Sequence, residues 1–126
     1  MAELLALDLV PVKIDQDEMA GGLAVAAALR GQSDGGIPWY VIIDPARGRL
    51  IERPDGSLTI DPAALLATAD GPEGNVGCPV TPSERAHFLD TLDATRRNLT
   101  DEQLSLIAAD LHAFARETIG AEADAD

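Results

Sequence analysis

The segment DGGIPWYVIID, residues 34–44, constrains the fold most, because it places a proline at the start of the most hydrophobic run in the chain. Pro38 has no backbone N–H and cannot donate a hydrogen bond inside a central strand. Residues 39–44 form a continuous apolar run, which predicts a buried strand. The Gly-Gly-Ile-Pro sequence before it predicts a turn that directs this strand into a core.

Hydrophobic periodicity and turn residues predict further elements around this strand. A helix over residues 2–8 precedes the first predicted strand, and residues 64–70 fit either a strand or a helical turn, of which we adopt the strand. The predicted strands are 9–14, 39–44 and 64–70, with a hairpin over 49–60 around Pro54-Asp55-Gly56, and the further helices are 18–30, 82–97 and 101–118. Thr81 and Thr100 each begin a capping box.

Charge and cysteine content exclude several classes of function. The chain has 126 residues, with 22 acidic and 9 basic side chains and a formal net charge of −13. Such a charge repels phosphate backbones and anionic lipid, so we expect neither nucleic-acid nor membrane binding. Cys78 is the only cysteine, which excludes an intrachain disulfide and a CxxC motif. The N-terminus has no signal-peptide pattern, and we expect a cytoplasmic protein without metal or other cofactors.

The order strand, helix, Gly-Ile-Pro, strand, strand, helix resembles the C-terminal half of the thioredoxin fold. The acidic turn in VKIDQDEM, the GGIPWYVIID segment, and the GPEGN loop before a capped last helix are all similar to this family. The resemblance covers about residues 4–95 and implies a truncated thioredoxin-like α/β fold, strand-helix-strand-strand-helix. An inserted hairpin and an appended C-terminal helix are added to this truncated fold. The resemblance also implies that the peptide bond before Pro38 is cis.

This resemblance also implies a domain organisation. We expect a single thioredoxin-like domain over residues 1–119, in which 1–98 is the family-like part and 99–119 is an extra helix. Residues 120–126 are expected to form a frayed acidic tail. The strand–helix–strand part of a complete member, which carries the CxxC motif, is absent from this sequence. Its loss should leave apolar strand edges, which predicts re-paired strands or association with another chain, either as a homodimer or by docking onto the missing segment.

The resemblance implies a peptide-binding edge at Gly36, Ile37, Pro38 and Trp39. In the family, the backbone before the cis-proline pairs with an extended substrate peptide, which is a form of strand addition. The alternative is that Ile37-Pro38 only forms a turn that aims a strand into the core.

Cys78 is the weak catalytic candidate. It lies in the GNVGCP loop just before a helix, and the alternative is that it serves as a small, half-buried apolar residue. His87 and His112 lie on separate predicted helices, where we expect solvated positions rather than metal ligands.

Three functions remain open at this point. The first is a redox-inactive module that binds a protein or peptide at the Pro38 edge. The second is part of a thiol–disulfide oxidoreductase whose CxxC half is encoded upstream. The third is a single-cysteine redox sensor that uses Cys78. Without a CxxC motif the sequence favours a protein that is not an enzyme.

Overall fold

Helices and short antiparallel strand pairs make up the chain, so its structure is mixed α and β. The computed structural model describes residues 1–31, 36, 38–72 and 74–125. The helices are α1 (Ala2–Leu5), α2 (Gly22–Arg30), α3 (Pro82–Thr95) and α4 (Asp101–Ile119), with 3-10 turns at Pro62–Ala64 and Gly120–Asp124. The strands are β1 (Val41–Ile43), β2 (Leu50–Glu52), β3 (Leu58–Ile60), β4 (Leu65–Thr68), β5 (Asp70–Gly71) and β6 (Gly74–Asn75).

The strands form three separate antiparallel pairs, β1 with β4, β2 with β3, and β5 with β6. The β2–β3 pair is the predicted hairpin, and Gly56 at its turn has a φ of 85°, which favours glycine. Both predicted capping boxes are confirmed at Thr81 and Thr100. The predicted C-terminal helices are therefore confirmed, and their starts are set by side chains that accept otherwise unpaired N–H groups.

One compact unit consists of Met1–Pro11 together with Ala69–Asp126. Its core joins the facing sides of α3 and α4, where Ile107 and Leu92 are almost fully buried. Leucines of the N-terminal segment cover this core from the side, among them Leu4, Leu5 and Leu9. Because aromatic residues make up only 3% of the chain, aliphatic packing provides most of this burial.

The other compact unit is Val12–Thr68. Its buried centre consists of Leu29 from α2, Ile60 from β3 and Ala64 from the 3-10 turn that follows β3. Trp39, Val41, Ile43, Leu50, Leu65 and Val25 pack around these three residues while keeping part of their surface exposed. The apolar strand β1 is thus half-buried, and the prediction of a buried strand over 39–44 is corrected to a shorter strand at the margin of a small core.

The predicted strand over residues 9–14 is wrong. These residues make no strand pairing, and the side chains of Val10 and Val12 are 89% and 79% exposed. Pro11 lacks the N–H group that a strand ladder needs, and no apolar surface covers the two valines. The strand-first order expected from the resemblance is therefore not observed, although the mixed α and β composition is.

The predicted helix over residues 18–30 begins only at Gly22. Asp15 accepts hydrogen bonds from the N–H groups of Asp17 and Glu18, which holds residues 15–18 in a turn. Gly21 then adopts a left-handed φ of 74°. A Cβ atom at Gly22 would lie 2.4 Å from the carbonyl oxygen of Asp15, so this close approach requires glycine.

The acidic tail is ordered rather than frayed up to Asp124. Its carboxylate contacts His112 Nε2 at 2.5 Å and Arg116 at 2.8 Å, and Ala123 is completely buried. The prediction of a frayed tail over 120–126 is therefore wrong for the described residues, because His112 and Arg116 of α4 bind the Asp124 carboxylate and hold the last turn in place.

Residues 64–70 are divided where the sequence predicts one strand. The Asp61 carboxylate accepts a hydrogen bond from the N–H of Ala63 and starts a 3-10 turn, so the strand begins only at Leu65.

In the part of the chain that the structure describes, no helix has the length and hydropathy needed to cross a bilayer.

A carboxylate joins the N-terminal segment to the α3–α4 connection across 90 residues of sequence. Asp8 accepts hydrogen bonds from the N–H of Asn98 at 2.7 Å and of Leu99 at 3.0 Å. Burial alone would raise the pKa of Asp8, but the backbone N–H groups of Leu99, Asn98 and Arg97 outweigh it and lower the pKa.

We expect Asp8→Asn to lower the free energy of unfolding by about 1 kcal/mol at neutral pH, because the charged acceptor is lost. The pKa of Asp8 is lower in the folded chain than its ordinary value of 3.8, so its carboxylate stabilises the fold at any pH above 3.8. This stabilisation is lost as the pH falls through the pKa that Asp8 has in the folded chain. The difference between wild type and Asp8→Asn should therefore shrink between about pH 5 and pH 2. Urea unfolding measures it, with the exposed Glu3→Gln as control, and a pH-independent difference would contradict the account.

Candidate functional site

The segment around Pro38 lies at the surface of the Val12–Thr68 unit. Gly36 and Pro38 are exposed, whereas Trp39 is partly buried against the core of this unit. Ile37, the fourth predicted peptide-binding residue, lies outside the described residues. The structure therefore places three of the four predicted residues together at the entrance to β1.

Arg30 fixes this segment from the last turn of α2. Its Nη1 donates a hydrogen bond to the carbonyl oxygen of Gly36 at 2.9 Å, and its guanidinium carbon lies 4.8 Å from the centre of the Trp39 ring. The Nε atom of Arg30 is buried and has no hydrogen-bond partner among the described residues. One arginine thus binds the backbone before Pro38 and covers the ring after it.

Arg30 was not among the residues predicted from the sequence. The available signal was its position in the last turn before the C-cap glycine Gly31, where a basic side chain often reaches a nearby carbonyl group. The carbonyl group that it reaches lies six residues further along the chain, and sequence spacing alone does not identify it.

Strand β1, which follows this turn, has one edge that no described strand pairs with, here called the free edge. Val41 and Ile42 pair with Thr68 and Ala67 of β4, and the register shifts between Ile42 and Ile43. Within the described ranges, the edge of β1 opposite β4 carries no other strand. Its three apolar side chains are all partly exposed. An unpaired strand edge next to partly exposed apolar side chains provides the two components of strand addition.

Cys78 is exposed, which corrects the interpretation of a half-buried apolar residue. It stands between the β5–β6 pair and the start of α3 at Pro82, in a segment without regular structure. The loop needs no apolar side chain there, because Val76 two residues earlier is the buried one.

A separate open cleft lies in the unit that contains α3. Its volume is about 650 Å³, and its lining includes Asn75, Ser83, Glu84, His87 and Asp90. Burial would raise the pKa of Glu84, but hydrogen bonds from Thr81 and Val80 outweigh it and lower the pKa. Glu84 is thus an ionised capping residue rather than a proton donor.

The two histidines do not come together. His87 lies on the cleft side of α3, where its ring packs near Gly71, whereas His112 binds Asp124 on α4. No group of three or more His, Cys, Asp or Glu residues among residues 1–31, 36, 38–72 and 74–125 is placed to hold a metal ion.

Comparison of the chain with models of protein families, with curated proteins and with solved structures gives no match. A function for this chain therefore has to follow from its own residues. Among them, the Arg30–Trp39 contact and the free edge of β1 form the most specific arrangement.

We expect Arg30→Met to lower the free energy of unfolding by about 1–2 kcal/mol, because it removes a hydrogen bond and a cation–π contact. Trp39 is the only tryptophan, so its fluorescence reports on this contact directly. Emission should shift to longer wavelength as the ring loses its cover. Arg47→Met, on an exposed residue of the same unit, is the matched control. Identical spectra and stabilities for both variants would show that the contact does not form in solution.

Proposed function

We propose that this chain is a redox-inactive, thioredoxin-like interaction module that binds an extended peptide along the free edge of β1, beside Pro38. The single observation that carries the proposal is that β1 pairs with β4 on one side only, among the described residues. A partner strand that joins this edge satisfies the exposed backbone groups and covers partly exposed apolar side chains.

The anchoring by Arg30 defines where the peptide contacts begin. Because the Gly36 carbonyl oxygen already accepts a hydrogen bond from Arg30, we expect the peptide to pair with β1 itself rather than with Gly36. The fixed turn also lowers the conformational entropy that binding would otherwise cost, since the edge is held in position beforehand.

The proposal excludes dithiol chemistry within this chain. Reduction of a disulfide to two thiols by one chain requires two cysteines, and the sequence has only Cys78. The exposure of Cys78 favours one second candidate, a single-cysteine sensor that forms a mixed disulfide by exchange with an oxidised low-molecular-weight thiol. The oxidoreductase whose CxxC half is encoded upstream has no supporting observation in this chain beyond the resemblance.

We expect a capped decapeptide of alternating valine and threonine to shift the backbone amide NMR signals of residues 39–44 and to alter Trp39 fluorescence. Pro38→Ala should weaken this binding about tenfold, because the turn that holds the edge gains conformational freedom. The control is Pro54→Ala, which changes a proline in the hairpin of the same unit.

Signals that move at residues 74–80 instead, or no change at millimolar peptide, would refute the β1 site. Binding that is lost in Cys78→Ser and requires an oxidised thiol would support the sensor instead. Reduction of insulin disulfides by the isolated chain would refute the redox-inactive part of the proposal.

A further inference from the structure

Helix α4 carries an acid–leucine–acid pattern on its solvent side. Glu102, Leu106 and Asp110 follow each other at intervals of four residues and are all exposed, and Leu106 is 54% exposed. We call these three residues the acidic stripe. Asp110 also lies 3.2 Å from the N-terminal ammonium group, yet 54% of its side chain stays accessible. The opposite side of α4 holds the buried residues, so the acidic stripe has no role in the core.

Strand β2 carries the complementary pattern. Ile51 lies in the middle of the strand, Arg49 and Arg53 flank the strand at its two ends, and all three are exposed, Ile51 by 51%. We call these three residues the basic stripe. Alternation directs them to the face opposite Leu50, which packs against the core of this unit.

The arginines of the basic stripe form no ion pair with any described residue, although the chain has 22 acidic side chains. The nearest acidic residue, Glu52, lies between Ile51 and Arg53, and alternation directs its side chain to the opposite face. The carboxylates of Asp55 and Asp61 already accept hydrogen bonds from local groups. Arg53 attracts the Asp55 carboxylate at longer range, but no ion pair holds either guanidinium group, so both can receive carboxylates from another molecule.

The two stripes match in spacing as well as in charge. Alternate residues of a strand are about 6.6 Å apart, and residues four apart on a helix are separated by about 6.0 Å along the axis. We propose that two copies of this chain associate through these surfaces, with the basic stripe of one copy on the acidic stripe of the other. Arg49 and Arg53 then meet Glu102 and Asp110, while Ile51 packs on Leu106.

Other occupants fit these surfaces less well. Two acidic stripes would repel each other, and the net charge of −13 opposes a polyanion on the basic stripe. At physiological salt the screening length is about 8 Å, so the overall repulsion between two copies is damped while contacts at the stripes persist. This interface uses neither β1 nor Pro38, and its failure would leave the proposed peptide site untouched.

Charge reversal in two separate variants tests the interface. Arg49→Glu with Arg53→Glu makes both stripes acidic, and Glu102→Arg with Asp110→Arg makes both stripes basic. Sedimentation of each variant alone should show association weakened at least about tenfold relative to wild type, because attraction becomes repulsion. An equimolar mixture should recover association, since each variant then meets a partner of opposite charge.

Matched controls change the same net charge at other exposed positions. They are Lys13→Glu with Arg97→Glu, and Glu3→Arg with Glu122→Arg, and both should associate like wild type. Circular dichroism checks that every variant is folded. The proposal would be overturned by a wild-type chain that stays monomeric at 1 mM, which means a Kd of roughly a millimolar or weaker. Charge-reversed variants that associate like wild type would also overturn it, and so would a mixture that does not recover association.

Discussion

The constraint on which the structure depends is that every strand in the described ranges pairs along one edge only. The strands are two to four residues long and form three separate pairs, so no continuous sheet shields their backbone groups. One continuous open sheet has two edges in total, whereas each of the three separate pairs here has two edges of its own. Where such an edge also carries partly exposed apolar side chains, as β1 does, the chain has a ready surface for a partner strand. The proposed function follows from this constraint rather than from any catalytic group.

The acidic composition has a structural explanation in part. Carboxylates repeatedly accept hydrogen bonds from backbone N–H groups in turns and helix starts, as Asp8, Asp15, Asp55, Asp61 and Glu84 show. These contacts start helices, close turns and fasten the N-terminal segment to the α3–α4 connection. They also engage Asp55 in the hairpin and Asp61 after it, while Arg49 and Arg53 form no ion pair in the described part of the chain. The same use of charge thus stabilises local structure and leaves surfaces that complement one another.

Local signals in the sequence predicted the elements whose causes are local. The capping boxes at Thr81 and Thr100 and the Pro54-Asp55-Gly56 hairpin are correct because their hydrogen bonds join residues only a few positions apart. The strand over 9–14 was wrong because apolar alternation cannot reveal that no partner edge covers Val10 and Val12. Arg30 was missed, and the ordered tail at Asp124 was not expected, because both depend on contacts across several residues that spacing does not encode. The thioredoxin-like resemblance remains a proposal for the same reason, since it concerns the arrangement of elements rather than their existence.

Amide hydrogen exchange, measured residue by residue in a dilute sample, tests the open-edge claim most directly. Arg53 donates its N–H to Ser57, and antiparallel alternation then directs the N–H of Ile51 toward β3 and those of Leu50 and Glu52 toward the free edge. The account predicts slow exchange at Ile51 and Arg53 and rates close to those of an unfolded chain at Leu50 and Glu52. Equal protection of all four amides would mean that another strand covers this edge in the free protein, and it would contradict the account.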